Sequence, residues 1–319
     1  MNELPVTAQS AKGLPRPLAE RSAIDPFIVM DVMGEANARE LSGDDIIHME
    51  VGQPASPAPK AARERARQAL ENQRLGYTEA LGLPKLRERI ARHMSERYGV
   101  GVRPERVVVT AGSSAGFVLA FLALLDQGYS LGLPSPGYPC YRQILKALNV
   151  RPTLIETSGQ GRWMPTVADV ERLAGEGAAG LLLASPNNPT STMALSPRLA
   201  EIAETCRRHG LWLISDEIYH GLEYEAPAET ALAHSDEAAG LSSILPADGA
   251  FYLYADISRF TGDSEAFAKT MLKDIGVAVT PGIDFDPDRG RNYIRFCYAG
   301  AEAQMREAAR RITGWLKGK

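Results

Sequence analysis

The sequence predicts an α/β protein with a mostly parallel sheet, followed by a smaller α+β unit. Residues 180–184 and 211–214 are short apolar runs typical of buried strands, and an amphipathic helix that Gly210 ends lies between them. A strand, a helix and a second strand in this order form a βαβ unit, whose two strands run parallel. After Gly240, short strand and helix patterns alternate, which is typical of an α+β unit.

The element that precedes this unit is the uncharged stretch of residues 107–125. Its 19 residues are enough to cross a bilayer, but small and polar residues from Thr110 to Gly116 interrupt it. We therefore predict a buried strand at 107–110, a tight turn, and a buried helix at 117–125, and no membrane span. Further helices are predicted after Asp25-Pro26 and over residues 84–99.

These patterns divide the chain into three parts. We predict an N-terminal arm over residues 1–48, a large α/β domain over 49–239 and a small α+β domain over 240–319. The 319 residues are enough for two domains of ordinary size, each with its own core.

Composition excludes several classes of function. With 45% hydrophobic and 23% charged residues, the chain has the profile of a folded globular protein. A net charge of −4 gives no basic surface for nucleic acid or an anionic membrane. Cys140, Cys206 and Cys297 lie far apart, so neither a disulfide framework nor a zinc site is expected, and the five histidines show no metal-ligand spacing. We expect a cytoplasmic protein without a structural metal.

Three loops at predicted strand ends carry side chains suited to a phosphorylated aromatic ligand. Because ligands of open parallel sheets bind beyond the carboxyl ends of the strands, these loops should lie together. Residues 112–114 follow a strand and begin a helix, which makes an anion site. Asn188 lies between two prolines, and Asp216 places a carboxylate near the phenol of Tyr219.

Seven stretches of the chain occur in the order found in one known family. They are Tyr77-Thr78 with Gly82 and Leu86-Arg87, residues 109–114, residues 135–138, residues 185–190, residues 215–219, residues 249–252, and residues 292–296. From about Gly52 onward the chain thereby resembles the class I/II aminotransferases of the fold-type I pyridoxal 5′-phosphate (PLP) group. The resemblance implies a three-layer αβα large domain and PLP as cofactor.

The resemblance also implies how PLP would be held at its phosphate. Ser113 and Ser114 would bind the phosphate group. Tyr77 would reach the phosphate of the cofactor in a neighbouring subunit, which implies a homodimer.

The cofactor ring and the substrate have their own implied partners. Tyr138 would stack on the pyridine ring, and Asn188 and Tyr219 would bond its 3′-oxygen. Asp216 would pair with the protonated ring nitrogen and keep the ring cationic. For the substrates, an amino acid and a 2-oxo acid, the resemblance implies that Arg295 grips the carboxylate in a bidentate fork beside the backbone of Gly52.

One departure from the family concerns its Schiff-base lysine. In the family, a Ser-x-x-Lys stretch and a Gly-Trp-Arg segment follow the counterpart of Tyr219 after a short interval. Here residues 234–238 run directly into residues 239–243, which resemble the start of the small domain. No catalytic lysine is found: Lys146, Lys269 and Lys273 fall on predicted helices with solvated faces. The sequence thus predicts that a block with the lysine, a sheet strand and the interdomain helix is missing.

A second departure is Ser191. The family commonly has glycine at this position after Asn-Pro-Thr, and a serine constrains the turn.

Two alternatives to an aminotransferase stay open at this point. The chain could be a relative that binds PLP, or only dimerises, without catalysis. Residues 112–116 also match Gly-x-Ser-x-Gly after a strand and before a helix, so Ser114 could be a hydrolase nucleophile with Asp216 and either His220 or His234. No oxyanion loop of the His-Gly-Gly type precedes that motif, which weighs against a hydrolase.

Overall fold

The structure is a computed structural model that describes residues 18–224, 226–234, 239–242 and 248–318. The first 17 residues of the predicted N-terminal arm and the predicted junction at residues 235–238 lie outside the described residues. The helices are α1 (Ile28–Leu41), α2 (Lys60–Asn72), α3 (Pro84–Tyr98), α4 (Ser113–Leu124), α5 (Pro139–Ala147), α6 (Val167–Gly175), α7 (Ser196–His209), α8 (Ser264–Ile275) and α9 (Glu302–Leu316). The strands are β1 (Ile47–His48), β2 (Ser130–Ser135), β3 (Arg151–Glu156), β4 (Gly180–Ala184), β5 (Trp212–Glu217), β6 (Ala239–Ser242), β7 (Tyr252–Asp256), β8 (Val277–Ala278), β9 (Thr280–Pro281) and β10 (Tyr293–Cys297).

A five-stranded parallel sheet forms the centre of the large domain, with the strand order β3-β2-β4-β5-β6. Every residue of β4 is buried, and successive side chains enter opposite layers. Leu181 and Leu183 pack with α6 and α7, while Leu182 packs with Phe117 and Phe121 of α4. Helices therefore cover both faces, and the predicted three-layer α/β architecture is confirmed.

The small unit contains an antiparallel sheet in the order β7-β10-β9. Its core joins α8 and α9 through contacts of Phe267, Met271 and Ala308. The N-terminal part of the chain contributes to the same unit, because β1 pairs with β8 in parallel. Helix α1 likewise packs on Leu272. Residues 28–49 thus lie against the C-terminal unit, and β6, which pairs with β5, extends across the predicted boundary at 239/240.

The prediction of a strand at residues 107–110 was wrong. These residues belong to no strand, and Val108 is 49% exposed. Their backbone makes isolated turn and loop bonds, such as the bond from the Val109 amide to the Leu81 carbonyl at 3.0 Å, and no ladder with a described strand. An apolar run becomes a strand only where another strand pairs with it, and none of the described strands lies beside this one. The following helix α4 is present, but it begins at Ser113 and is only partly buried, because Leu119 and Leu122 are 53% and 62% exposed. No helix within the described ranges is both long and apolar enough to cross a membrane.

Candidate active site

A cavity of about 190 Å³ lies at the carboxyl ends of β4 and β5, between the large sheet and the small unit. Seven of the nine residues predicted for the site line it: Gly52, Ser113, Tyr138, Asn188, Asp216, Tyr219 and Arg295. The sequence stretches that carry these residues are far apart in the chain, so the fold itself brings them together. Phe27, Val29 and Met30, from the start of α1, add an apolar wall.

Asp216 is the charged group at the floor of the cavity. Its carboxylate is 3% exposed and accepts hydrogen bonds from the Tyr141 hydroxyl at 2.5 Å and the Ile218 amide at 3.1 Å. Burial raises its pKa to about 6, although both hydrogen bonds act to lower that pKa. Among the described residues no basic side chain forms an ion pair with Asp216, so the site offers a buried anion that lacks a counterion.

Aromatic rings form one wall beside this carboxylate. Tyr138 meets Phe27 edge-on, with ring centroids 5.8 Å apart, and meets Tyr141 in the same way at 5.4 Å. A flat heterocycle can stack on such a wall. Tyr141 was not predicted as a site residue, and the signal for it was weak, since it lies within an ordinary amphipathic helix.

Arg295 is buried at the opposite end of the cavity. Its Nη1 donates to the Asn188 side-chain oxygen at 3.0 Å, and its Nη2 donates to the Thr280 hydroxyl at 3.0 Å and to the Glu50 carbonyl. Its guanidinium also lies over the ring of Tyr252, 4.4 Å from the centroid. A bidentate contact with a carboxylate uses either Nε and Nη2 or Nη1 and Nη2 of an arginine. Because Nη2 already donates two hydrogen bonds here, Arg295 cannot make the predicted bidentate fork in this structure.

Tyr219 and Tyr252 lie between Asp216 and Arg295. Their hydroxyl oxygens are 3.1 Å apart, and burial raises the pKa of both phenols, so both are neutral near pH 7. Gly52 permits this arrangement, because a Cβ at position 52 would lie 1.7 Å from the Tyr252 hydroxyl oxygen. Tyr252 lines the cavity and belongs to the family-like stretch 249–252, but no role was predicted for it.

Two of the predicted residues do not line the cavity. Ser114 is exposed on α4 beside Ser113, and Tyr77 is fully exposed. In the described part of the chain, no lysine lines the cavity. Lys146 pairs with Asp25 and Lys269 pairs with Glu265 on the surface, as expected for solvated helix faces.

The arrangement proposed for a serine hydrolase is wrong. Both ring nitrogens of His220 have other partners, the Ser185 carbonyl at 3.0 Å and the Tyr98 hydroxyl at 2.8 Å. Burial lowers the pKa of His220 to about 4. The other candidate, His234, pairs with Glu229 at 2.9 Å. Since Asp216 bonds Tyr141 and not a histidine, these residues do not form a triad with Ser114.

Comparison with known proteins agrees with this geometry. The family model for aminotransferase class I and II matches residues 44–243 and again 232–312. The chain belongs to this family. Its members depend on PLP.

The alignments with individual relatives cover nearly the whole of this chain and of the relative. The chain is 35% identical to valine–pyruvate aminotransferase from Mycobacterium tuberculosis, over 94% of this chain and 98% of that relative. A crystal structure of an aminotransferase from the same organism matches with a TM-score of 0.90 at 34% identity, covering 95% of this chain and 100% of that one. A second structure, from Silicibacter pomeroyi, matches with a TM-score of 0.86 at 39% identity over the same shares.

The lengths in these comparisons differ in an informative way. The alignment to the valine–pyruvate enzyme runs over 382 residues, whereas 94% of this 319-residue chain is about 300. About 80 aligned positions of that relative therefore have no counterpart here. The family model is also matched in two pieces that overlap at residues 232–243.

The residues present fit the non-covalent contacts of PLP. A buried carboxylate without a counterion suits a cationic ring nitrogen, and the Tyr138 wall suits the face of the ring. Ser113, at the first turn of the 12-residue α4, suits an anionic phosphate. A covalent bond to the cofactor is a different matter, because none of the described lysines reaches the cavity.

Proposed function

We propose that the chain binds PLP in this cavity and takes a branched-chain amino acid and pyruvate as substrates. The observation that carries the proposal is the buried Asp216, which faces a cavity lined by six other residues of the family pattern. The choice of substrates comes from the relative named for valine and pyruvate, which is 35% identical over 94% of the chain. An apolar wall from Phe27, Val29 and Met30 suits an aliphatic side chain.

Each residue has a defined task in this proposal. When bound, PLP carries the amino group and accepts the electron pair left by the α-proton of the substrate. Asp216 holds the ring nitrogen in its cationic form, and Tyr138 covers one face of the ring. Asn188 and Tyr219 orient the 3′-oxygen, while Arg295 and the backbone of Gly52 bind the substrate carboxylate.

Proton transfer is the step for which the described residues offer no suitable group. The phenols of Tyr219 and Tyr252 are neutral near pH 7, so they donate hydrogen bonds and do not act as bases. A positioned acid–base group contributes about 10²–10⁴-fold to the rate of such a step. We therefore propose that PLP binds reversibly and that amino-group transfer by this chain is slower by that factor than in lysine-containing members.

The proposal is supported by the alignment. The two overlapping matches of the family model meet at residues 232–243, where the sequence predicts the missing block. The roughly 80 unmatched positions of the relative are enough for a strand and a long helix.

One experiment tests cofactor binding and the lysine together. Purified chain is titrated with PLP, and a sample is reduced with borohydride, digested and analysed by mass spectrometry. We expect saturable binding, with no phosphopyridoxyl group fixed to a lysine. The exchange of valine and pyruvate is then measured with and without methylamine, a small primary amine that can take over proton transfer. Faster exchange with the amine supports the proposal, whereas a chain that fails to bind PLP contradicts it.

We also propose that the chain is a homodimer in the cytoplasm. Helix α2 has no buried residue, and Tyr77 nearby is fully exposed, as expected for a residue that acts in another subunit. Leu119 and Leu122 of α4 are 53% and 62% exposed, and exposed apolar groups of this size favour association. The three cysteines are unpaired, which suits a reducing compartment.

A further inference from the structure

Ser191, the residue at which the sequence departs from the family, holds the small unit against the Asn188 loop. Its side-chain oxygen donates to the Tyr252 carbonyl at 2.9 Å and accepts from the Tyr252 amide at 3.2 Å. Its own carbonyl accepts from the amides of Asp248 and Gly249. Ser191 has a φ of 61°, a left-handed conformation that glycine adopts more easily. At this less favourable conformation, the Ser191 hydroxyl bonds both the carbonyl and the amide of Tyr252.

The two hydrogen bonds between Ser191 and the Tyr252 backbone fix the position of the Tyr252 hydroxyl. Tyr252 is 3% exposed and lines the cavity. Its hydroxyl contacts the Tyr219 hydroxyl on one side and reaches the space over Gly52 on the other. Two hydroxyl groups carry two protons and the bond between them uses one, so the pair keeps one proton for a ligand.

Arg295 shows that a carboxylate in this cavity needs a further donor. Of the five guanidinium N–H groups, three bond to Asn188, Thr280 and the Glu50 carbonyl. The Nε atom is buried without a hydrogen-bond partner. Because both bidentate edges are occupied at Nη2, Arg295 can offer a carboxylate single N–H groups but not a fork.

We propose that the Tyr252 hydroxyl donates a hydrogen bond to the substrate carboxylate beside Arg295, and that Ser191 is the positioning residue that places it there. The inference rests on the proposed function, since it assumes that the cavity binds a carboxylic acid substrate. In this arrangement the Tyr252 hydroxyl supplies the second hydrogen bond to the carboxylate, which the arginine cannot supply. It also gives the serine at 191 a role that glycine could not fill.

The test uses the full chain saturated with PLP and the unreactive probe isovalerate, a branched carboxylate without amine or keto group. Binding is measured by isothermal titration calorimetry for the unchanged chain and for Tyr252→Phe, Ser191→Gly and the double variant. Ser191→Gly removes the hydroxyl at a backbone conformation that suits glycine, so the fold is kept. The matched control is Tyr254→Phe, on the same strand, whose hydroxyl lies 3.5 Å from the Gly282 carbonyl and outside the cavity lining.

We expect Tyr252→Phe to weaken isovalerate binding on the order of tenfold, the range for a hydrogen bond to a charged group. Ser191→Gly should weaken it about threefold, and the double variant should be no weaker than Tyr252→Phe, because Ser191 acts through Tyr252. PLP affinity and the Tyr254→Phe control should stay within about twofold of the unchanged chain.

Four results would overturn the inference. Equal isovalerate affinity in Tyr252→Phe rejects the donor, and additive losses in the double variant reject the positioning role. A fall in PLP affinity as large as that for isovalerate assigns Tyr252 to the cofactor instead. A chain that binds PLP but no isovalerate rejects this inference alone, whereas a chain that binds neither also contradicts the proposed function.

Discussion

Two regions of the molecule differ in how completely they are packed. At the carboxyl ends of β4 and β5, buried side chains from both units enclose Asp216, and the Asp216 carboxylate and the Arg295 guanidinium each have several partners. In the second region, residues 107–110 have no partner among the described strands, and α4 exposes Leu119 and Leu122. The described residues of both units supply the side chains of the first region. The second region depends on neighbouring elements that the described residues do not supply.

The difference separates the binding of PLP from catalysis by PLP, two functions that act together in this family. Groups for the cofactor ring and for the substrate carboxylate come from the well-packed region. The group that would form a covalent bond to the cofactor belongs, by resemblance, to the segment expected beyond Tyr219. Binding of PLP and catalysis by PLP should therefore be separable in this chain.

The largest expected effect is in the well-packed region. Replacing Asp216 by alanine should weaken PLP binding on the order of hundredfold, because a cationic ring nitrogen would be left buried without its anion. Asp216→Asn should lose nearly as much, since it keeps the shape and removes the charge. Both affinities are measured by absorbance titration with PLP.

Glu217→Gln is the matched control for these variants. Glu217 is a buried carboxylate on the same strand, but it bonds the Ser215 hydroxyl and the Ala231 amide, outside the cavity lining. Its replacement should change PLP affinity less than about twofold. Equal losses in Asp216→Asn and Glu217→Gln would mean that general disturbance of β5, and not a specific ion pair, explains the effect.

An intermediate effect is expected in the poorly packed region, at α4. Leu122→Asp should raise the dimer dissociation constant about tenfold or more, because it places a charge on a surface that the homodimer would bury. Analytical ultracentrifugation of both forms over a range of concentrations measures this change. Leu41→Asp is the control, since Leu41 is 91% exposed at the end of α1. A monomeric unchanged chain, or identical masses for all three proteins, would contradict the proposed dimer.

The same contrast explains how far the sequence could be interpreted. Residues 180–184 were predicted as a strand correctly because the run is apolar at every position and both neighbouring strands are present. Residues 107–110 have a similar composition but form no strand, since pairing depends on residues elsewhere in the chain. Motif residues such as Asp216 could be found because strand ends converge. Tyr141 and Tyr252 could not, because their roles depend on contacts across the tertiary structure with Asp216 and Ser191.

The smallest expected effect concerns how Asp216 is tuned. Tyr141→Phe removes the hydrogen bond of 2.5 Å that lowers the pKa of this carboxyl, so that pKa should rise above its value of about 6. PLP with a cationic ring nitrogen needs the ionised carboxylate, so its affinity falls as the pH drops through the pKa of Asp216. The midpoint of that fall should therefore move to higher pH in Tyr141→Phe, while the affinity at pH 8 decreases only about threefold.

The measurement is the PLP dissociation constant between pH 5 and pH 8.5, with Tyr254→Phe as the control for loss of a phenol. A midpoint that stays in place, or moves to lower pH, would show that Tyr141 does not stabilise the ionised form of Asp216. A shift confined to Tyr141→Phe would place the tuning of the cofactor carboxylate entirely in the well-packed region. In that case α5, which carries Tyr141, acts on cofactor binding through the carboxylate of Asp216.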